Sequence, residues 1–272
     1  MNARLRIGIV GCGAIGTSLA RAVQEEFVKK AVLSALYDID TQKCAQLSAK
    51  IAGSVAAQNL IQLVEKSDLV IEAASAKVSY QVAREALGLG KDVMIMSVGG
   101  LVDKLEDLRS MAEKNSARVY IPSGAICGID GLKAASLGGL KEVTLTTTKH
   151  PKSFKGVEYV AKKGIDLEAT KEDVVLFSGS AEDAVKNFPQ NINVAAVLSL
   201  AGLGAKKTVV RIVASLSASR NVHEVKIEGD AGSISTRTEN VLHPDNPKTS
   251  YLAVLSAKAA LAQILEPVRI GT

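Results

Sequence analysis

The chain has 272 residues, 47% hydrophobic, 22% charged and 3% aromatic, with a formal net charge of +5. Its scattered lysines and few rings lack the basic stripes and stacking platforms of nucleic-acid binders, and a mildly basic surface suits anionic cofactors and substrates instead. Cys12, Cys44 and Cys127 are odd in number and far apart, which implies neither a disulfide framework nor a zinc site; with no cleavable signal visible and no apolar run of ~18 residues, a reducing, cytoplasmic setting without a membrane or metal is expected.

The first element is a short apolar run, Leu5, Ile7, Ile9 and Val10, of the kind a buried parallel strand shows. Gly11, Gly13 and Gly16 then fit G-x-G-x-x-G, and Ile15, Leu19, Ala20 and Val23 follow with helical spacing. A strand turning into a helix through such a loop lets a pyrophosphate approach backbone N–H groups at the positive end of the helix. Gly11, Gly13, Ala14, Ile15 and Gly16 are therefore candidate cofactor contacts. A second strand in "AVLSALYDID" ends at Asp38, placed to accept hydrogen bonds from a ribose. Its carboxylate would repel a 2′-phosphate, so NAD is favoured. NADP stays possible, because Asp40 is either the ribose ligand or the N-cap of the next helix, and Lys43 could meet a phosphate.

Strand and helix signals keep alternating through "DLVIEAAS", "KVSYQVAREALGLG", "KDVMIMS" and "ARVYIPSGA", which predicts a doubly wound parallel sheet. Its ligand should lie beyond the carboxyl ends of the strands, where Ala73–Ala76 and Ser97–Gly100 offer small residues; Ala74 and Ser75 are candidate contacts.

Around Pro122 the pattern changes. A helix in "GIDGLKAAS" and strands in "EVTLTTTKH" and "DVVLFSGS" precede helices in "AEDAVKNF" and "INVAAVLSLAG". Strand-like "KTVVRIVASLS", "VHEVKIEG" and "SISTRTENVL" follow, with "GDAG" as a hairpin turn. This predicts a second, α+β domain with a mixed or antiparallel sheet over 123–246, after a Rossmann domain over 1–122. The polar stretch from Lys152 to Asp173 reads as a solvated excursion with one short strand at "VEYVA". Thr249 or Ser250 offers an N-cap to a last helix within 247–272, which is expected to pack back on the first domain. Lys248, Thr249 and Ser250 gather a lysine, hydroxyls and free N–H groups where an anionic substrate group could dock.

Period-two alternation in "NVHEVKIEG" puts His223 on the same face as Val225 and Ile227, so it is either a hydrogen-bonded core histidine or a catalytic one. His150 and His243, each before a proline, read as surface-loop residues.

"GIVGCGAIG", "PSGAICGIDGLKAA", "FPQNINVAAVLSLAG", "NVHEVKIEG" and "NPKTS" with the terminal helix, in that order, resemble the L-aspartate dehydrogenase family over nearly the whole chain. The resemblance implies NAD- or NADP-dependent oxidation of the α-amine of L-aspartate to an imine, which hydrolyses to oxaloacetate and ammonia or feeds NAD biosynthesis, in a homodimer. It implies a cofactor contact at Ala125, another at Asn191 or Asn193, and catalysis by His223; as an acid–base group that imidazole is expected near its ordinary pKa of ~6.5. The second substrate carboxylate is left among Arg211, Arg220, Lys206 and Lys207. Two other readings stay open: another two-domain Rossmann reductase, similar to dihydrodipicolinate reductase or homoserine dehydrogenase, and a non-enzymatic NAD sensor.

Overall fold

A computed structural model describes residues 3–51, 56–167, 172–188, 192–244 and 246–271. The chain divides into two compact units, one formed by residues up to Pro122 with Val254–Ile270, the other by Ser123–Ala253.

The first unit follows from strands that are apolar on both faces. β1 (Leu5–Val10), β2 (Ala31–Tyr37), β3 (Leu69–Glu72), β4 (Asp92–Ile95) and β5 (Val119–Tyr120) form a sheet in the order β2-β1-β3-β4-β5, parallel throughout. The crossovers carry α1 (Ala14–Glu25), α2 (Thr41–Lys50), α3 (Leu60–Glu65), α4 (Ala76–Gly88) and α5 (Leu105–Lys114). Ile7, Ile9, Leu69, Ile71 and Met94 pack with Leu19 and Val23 of α1 on one face. Val70, Val93 and Ile95 alternate with them toward the other face and are equally buried, as are Leu63, Val82 and Leu108 on α3, α4 and α5.

The second unit contains α6 (Ile129–Ser136), β6 (Leu140–Lys149), α7 (Glu158–Lys162), β7 (Val174–Ser180), α8 (Ala181–Asn187), α9 (Ile192–Ala201), β8 (Val209–Ala214), β9 (Asn221–Gly229) and β10 (Gly232–Asn240). Its sheet runs β10-β9-β6-β8-β7, with β6 and β8 parallel and the remaining pairs antiparallel. Val143, Leu145, Val210, Ile212, Val225 and Ile227 face a core completed by Leu132, Phe154, Val160, Phe188 and Leu198. The opposite sheet face is polar, with Lys226, Arg211 and Arg237 exposed. A small hairpin, β11 (Leu242–His243) with β12 (Asn246–Ser250), leads into α10 (Tyr251–Leu265). Ala257 and Leu261 of α10 are fully buried in the first unit's core, packed with Ile7 and Leu19.

Two expectations are corrected. "VEYVA" is not a strand: Glu158–Lys162 is a helical turn preceded by a 3₁₀ turn at Pro151–Phe154. Nor is the stretch purely solvated, because Phe154 and Val160 are buried and Tyr159 packs its ring against Phe177 and Phe188. Burying these apolar side chains outweighs the weak strand preference of five residues.

Candidate active site

In the first unit each glycine of the loop has a distinct steric reason. Gly11 has φ +99°, and a Cβ there would lie 2.5 Å from the Ala73 carbonyl oxygen. A Cβ on Gly16 would lie 1.8 Å from the Gly11 carbonyl oxygen, so α1 can seat against the loop only without a side chain. Gly13, the N-cap of α1, faces open space, as a loop that receives a pyrophosphate requires. Gly16→Ala is expected to force the loop and α1 apart, at about 1–3 kcal/mol; calorimetric titration with NAD should show affinity weakened by about tenfold or more.

Asp38 fastens this loop to β2. Its Oδ2 accepts from Cys12 N at 2.7 Å and its Oδ1 from Asp40 N at 2.8 Å. Asp40 is the N-cap of α2, accepting from Lys43 N at 3.2 Å and pairing with Lys43 Nζ at 3.2 Å, which lowers its pKa. Asp38, Lys43, Gly11, Gly13, Ala74 and Ser75 line one cavity of about 510 Å³. Ala14 and Ile15 stand half-buried in the first turn of α1, where Ile15 packs on the core. Backbone donors, a half-buried carboxylate and room at Gly13 fit an adenine dinucleotide.

Glu72, at the end of β3, escaped the sequence reading. It is fully buried and accepts from Ala74 N at 2.8 Å and Ser75 N at 3.0 Å on Oε1, and from Ser97 N at 2.9 Å on Oε2. Burial pushes its carboxyl above the usual range, against the pull of these amides.

In the second unit, residues from distant segments meet. His223 is 5% exposed, and its Nδ1 lies 3.0 Å from Thr147 Oγ1, directly across the β6–β9 pairing. Thr238 Oγ1 donates to the Ala125 carbonyl at 3.1 Å and lies 3.3 Å from the His223 carbonyl. Asn240 Nδ2 donates to Ala125 O at 2.9 Å, while its Oδ1 accepts from Ser250 Oγ at 2.8 Å. Ala125, His223 and Ser250 are thus tied together by Thr238 and Asn240. Neither of those was singled out, although Asn240 closes a strand of alternating polar residues and is itself buried.

The expectation of an ordinary imidazole pKa is corrected. Burial first, and the charge of Lys149 second, push His223 down to about 3. Lys149 lies two residues beyond Thr147, hence on the same face of β6, and burial pushes it down to about 8. The run Val143, Leu145, Thr147, Lys149 carried that signal, a lysine in register with a core-facing row.

Asn191 and the side chain of Lys248 lie outside the described residues; Asn193 is exposed in the first turn of α9. Thr249 Oγ1 accepts from Asn246 Nδ2 at 3.1 Å. His243 is no surface-loop residue, being buried with its ring edge-on to Tyr251; His150 accepts from Lys152 N at 3.2 Å. Arg211, Arg220, Lys206 and Lys207 are exposed. Among the described residues no group of three or more His, Cys, Asp or Glu is placed to hold a metal, and no helix is long and apolar enough to cross a membrane.

Residues 130–264 match the family model described as aspartate dehydrogenase, C-terminal, and residues 11–122 the one described as homoserine dehydrogenase, NAD binding domain. An L-aspartate dehydrogenase of Methanosarcina barkeri is 46% identical over 273 residues, covering 98% of this chain and 100% of the relative. The chain belongs to the L-aspartate dehydrogenase family. A further member of that family, from Methanosarcina acetivorans, is 47% identical over 98% of this chain and 100% of its own length. The crystal structure of aspartate dehydrogenase from Thermotoga maritima superposes with a TM-score of 0.74 at 28% identity, covering 99% of this chain and 100% of that one. L-aspartate dehydrogenases are oxidoreductases, and residues 11–122 of the first unit form an NAD-binding domain.

Proposed function

We propose that the protein oxidises the α-amine of L-aspartate with NAD, giving iminoaspartate, which hydrolyses to oxaloacetate and ammonia or enters NAD biosynthesis. The observation that carries this reading is the buried His223 tied to Ala125 and Ser250, in a chain related to L-aspartate dehydrogenases along its whole length. NAD, when bound, supplies the hydride acceptor. Asp38 favours it over NADP, because a half-buried carboxylate beside a 2′-phosphate would repel it.

The chain's own residues hold substrate and move protons. With Nδ1–H given to Thr147 Oγ1, a neutral His223 keeps the lone pair of Nε2 and takes a proton as water attacks the imine. Lys149 adds a cation that turns neutral above about 8, which favours the amine oxidation in alkaline solution. Lys248, Thr249 and Ser250 would receive one substrate carboxylate. A homodimer in the cytoplasm completes the reading, to be checked by sedimentation.

The deciding assay incubates purified protein with NAD or NADP and a panel of amino acids, following reduced-cofactor absorbance. Turnover is expected with L-aspartate and NAD at alkaline pH, and silence there would refute the proposal.

A further inference from the structure

Glu72 has no part in the chemistry above, yet it occupies a singular position. Its two carboxylate oxygens divide their work between two segments, Oε1 taking the amides of Ala74 and Ser75 after β3, and Oε2 taking the amide of Ser97 after β4. Ala74 and Ser75 line the cavity that also holds Asp38 and Gly11, whereas Ser97 does not line it. A second, independent contact joins the same segments: a Cβ on Gly100 would lie 2.1 Å from the Ala76 carbonyl oxygen and 2.4 Å from Ser79 Oγ. The two strand ends therefore approach backbone to backbone with one buried acid between them. In a doubly wound sheet the dinucleotide lies across the carboxyl ends of the strands, with its adenosine ribose at the acidic residue ending β2.

We propose that Glu72 is a positioning residue for the dinucleotide, holding the segment at Ala74 and Ser75 on the adenosine side and the segment at Ser97 on the nicotinamide side in fixed relation. The proposal rests on the NAD-binding reading of the first unit and not on the identity of the amino-acid substrate. A carboxylate suits the position because the three amides and the Ser97 hydroxyl all donate to it, and only an acceptor at both oxygens satisfies the amides without leaving a buried polar group unmatched.

Glu72→Gln separates this role from simple filling of the core. Glutamine has the same shape but one oxygen; keeping two hydrogen bonds rather than one turns that oxygen to Ala74 and Ser75 and sets an NH₂ against the Ser97 N–H. Binding is measured by titration calorimetry with AMP, which needs only the adenosine side, and with NAD, after circular dichroism has confirmed folding. AMP affinity is expected within about twofold of wild type and NAD affinity weakened about tenfold, the loss of a charge-assisted hydrogen bond. Equal weakening of both ligands, or no change in either, would overturn the proposal. Should the glutamine variant not fold, Glu72→Asp keeps two acceptor oxygens but shortens the reach by a methylene. It is expected to weaken NAD more than AMP, and equal weakening or wild-type affinities would overturn the proposal. NAD binding by the wild type tests the underlying reading separately: a protein that takes AMP but not NAD loses that reading and this proposal with it.

Discussion

Replacing His223 with alanine is expected to lower kcat/KM for aspartate by about 10²- to 10⁴-fold, the range for removal of a positioned acid–base group, while the Kd for NAD stays within about twofold. The Gly11–Gly16 loop and Asp38 belong to the first unit and make their hydrogen bonds within it, so the variant leaves those contacts in place. The pH profile sharpens the test. An unperturbed imidazole would make the rate inflect near ~6.5, but His223 is held at about 3 and stays neutral through the working range. Lys149, pushed down to about 8, is the neighbouring group that changes charge there. Below that pH its ammonium opposes protonation of His223; above it the opposition disappears and the imidazole becomes the better base. Activity should accordingly rise with pH through about 8, and Lys149→Met should flatten the rise. A wild-type inflection near 6.5 that survives this substitution would contradict the assignment, and unchanged turnover in His223→Ala would remove the histidine from the mechanism.

Acid should destabilise the second unit through the same residue. In the unfolded chain the imidazole binds a proton below ~6.5, whereas in the folded state it does so only below about 3. The unfolded state therefore holds more protons throughout that window, and stability falls as the pH falls across it. The slope is about 1.4 kcal/mol per pH unit, for a total loss of about 4–5 kcal/mol from this group. Urea unfolding of wild type and His223→Gln between pH 7 and 4 would isolate the effect, since the carboxylates contribute to both proteins alike. The difference between the curves should widen steadily toward acid; parallel curves would mean that the imidazole is already hydrated in the native state.

The parts of the molecule that could be read from the chain are those whose physics is local and periodic. β1 and the turn after it were legible because a strand buried on both faces is apolar at successive positions, and because Gly11 and Gly16 leave no room for a side chain. The placement of His223 with Val225 and Ile227 followed from alternation alone. Its proton affinity did not, since that depends on depth and on Lys149 from another strand. Glu72 was invisible for a related reason: its partners are backbone amides that every residue carries, and an acid ending an apolar strand reads as an ordinary boundary. His243 was misread because a proline follows it, while the ring of Tyr251 eight residues later covers it. "VEYVA" failed because a five-residue segment takes whichever conformation best buries Val160.

The burial of Ala257 and Leu261 beside Ile7 and Leu19 sets a timetable for biosynthesis. A ribosome that has released residues up to Pro122 has made all five strands of the first sheet with α1 and α2, but the part of that core closed by α10 stays open until Ser123–Ala253 has also been translated. The nascent protein thus carries a greasy surface through roughly half of its synthesis, a span in which chaperone capture or premature sticking can occur. Shortening that interval by circular permutation, with the last helix moved ahead of β1, should raise the yield of native protein in the absence of chaperones.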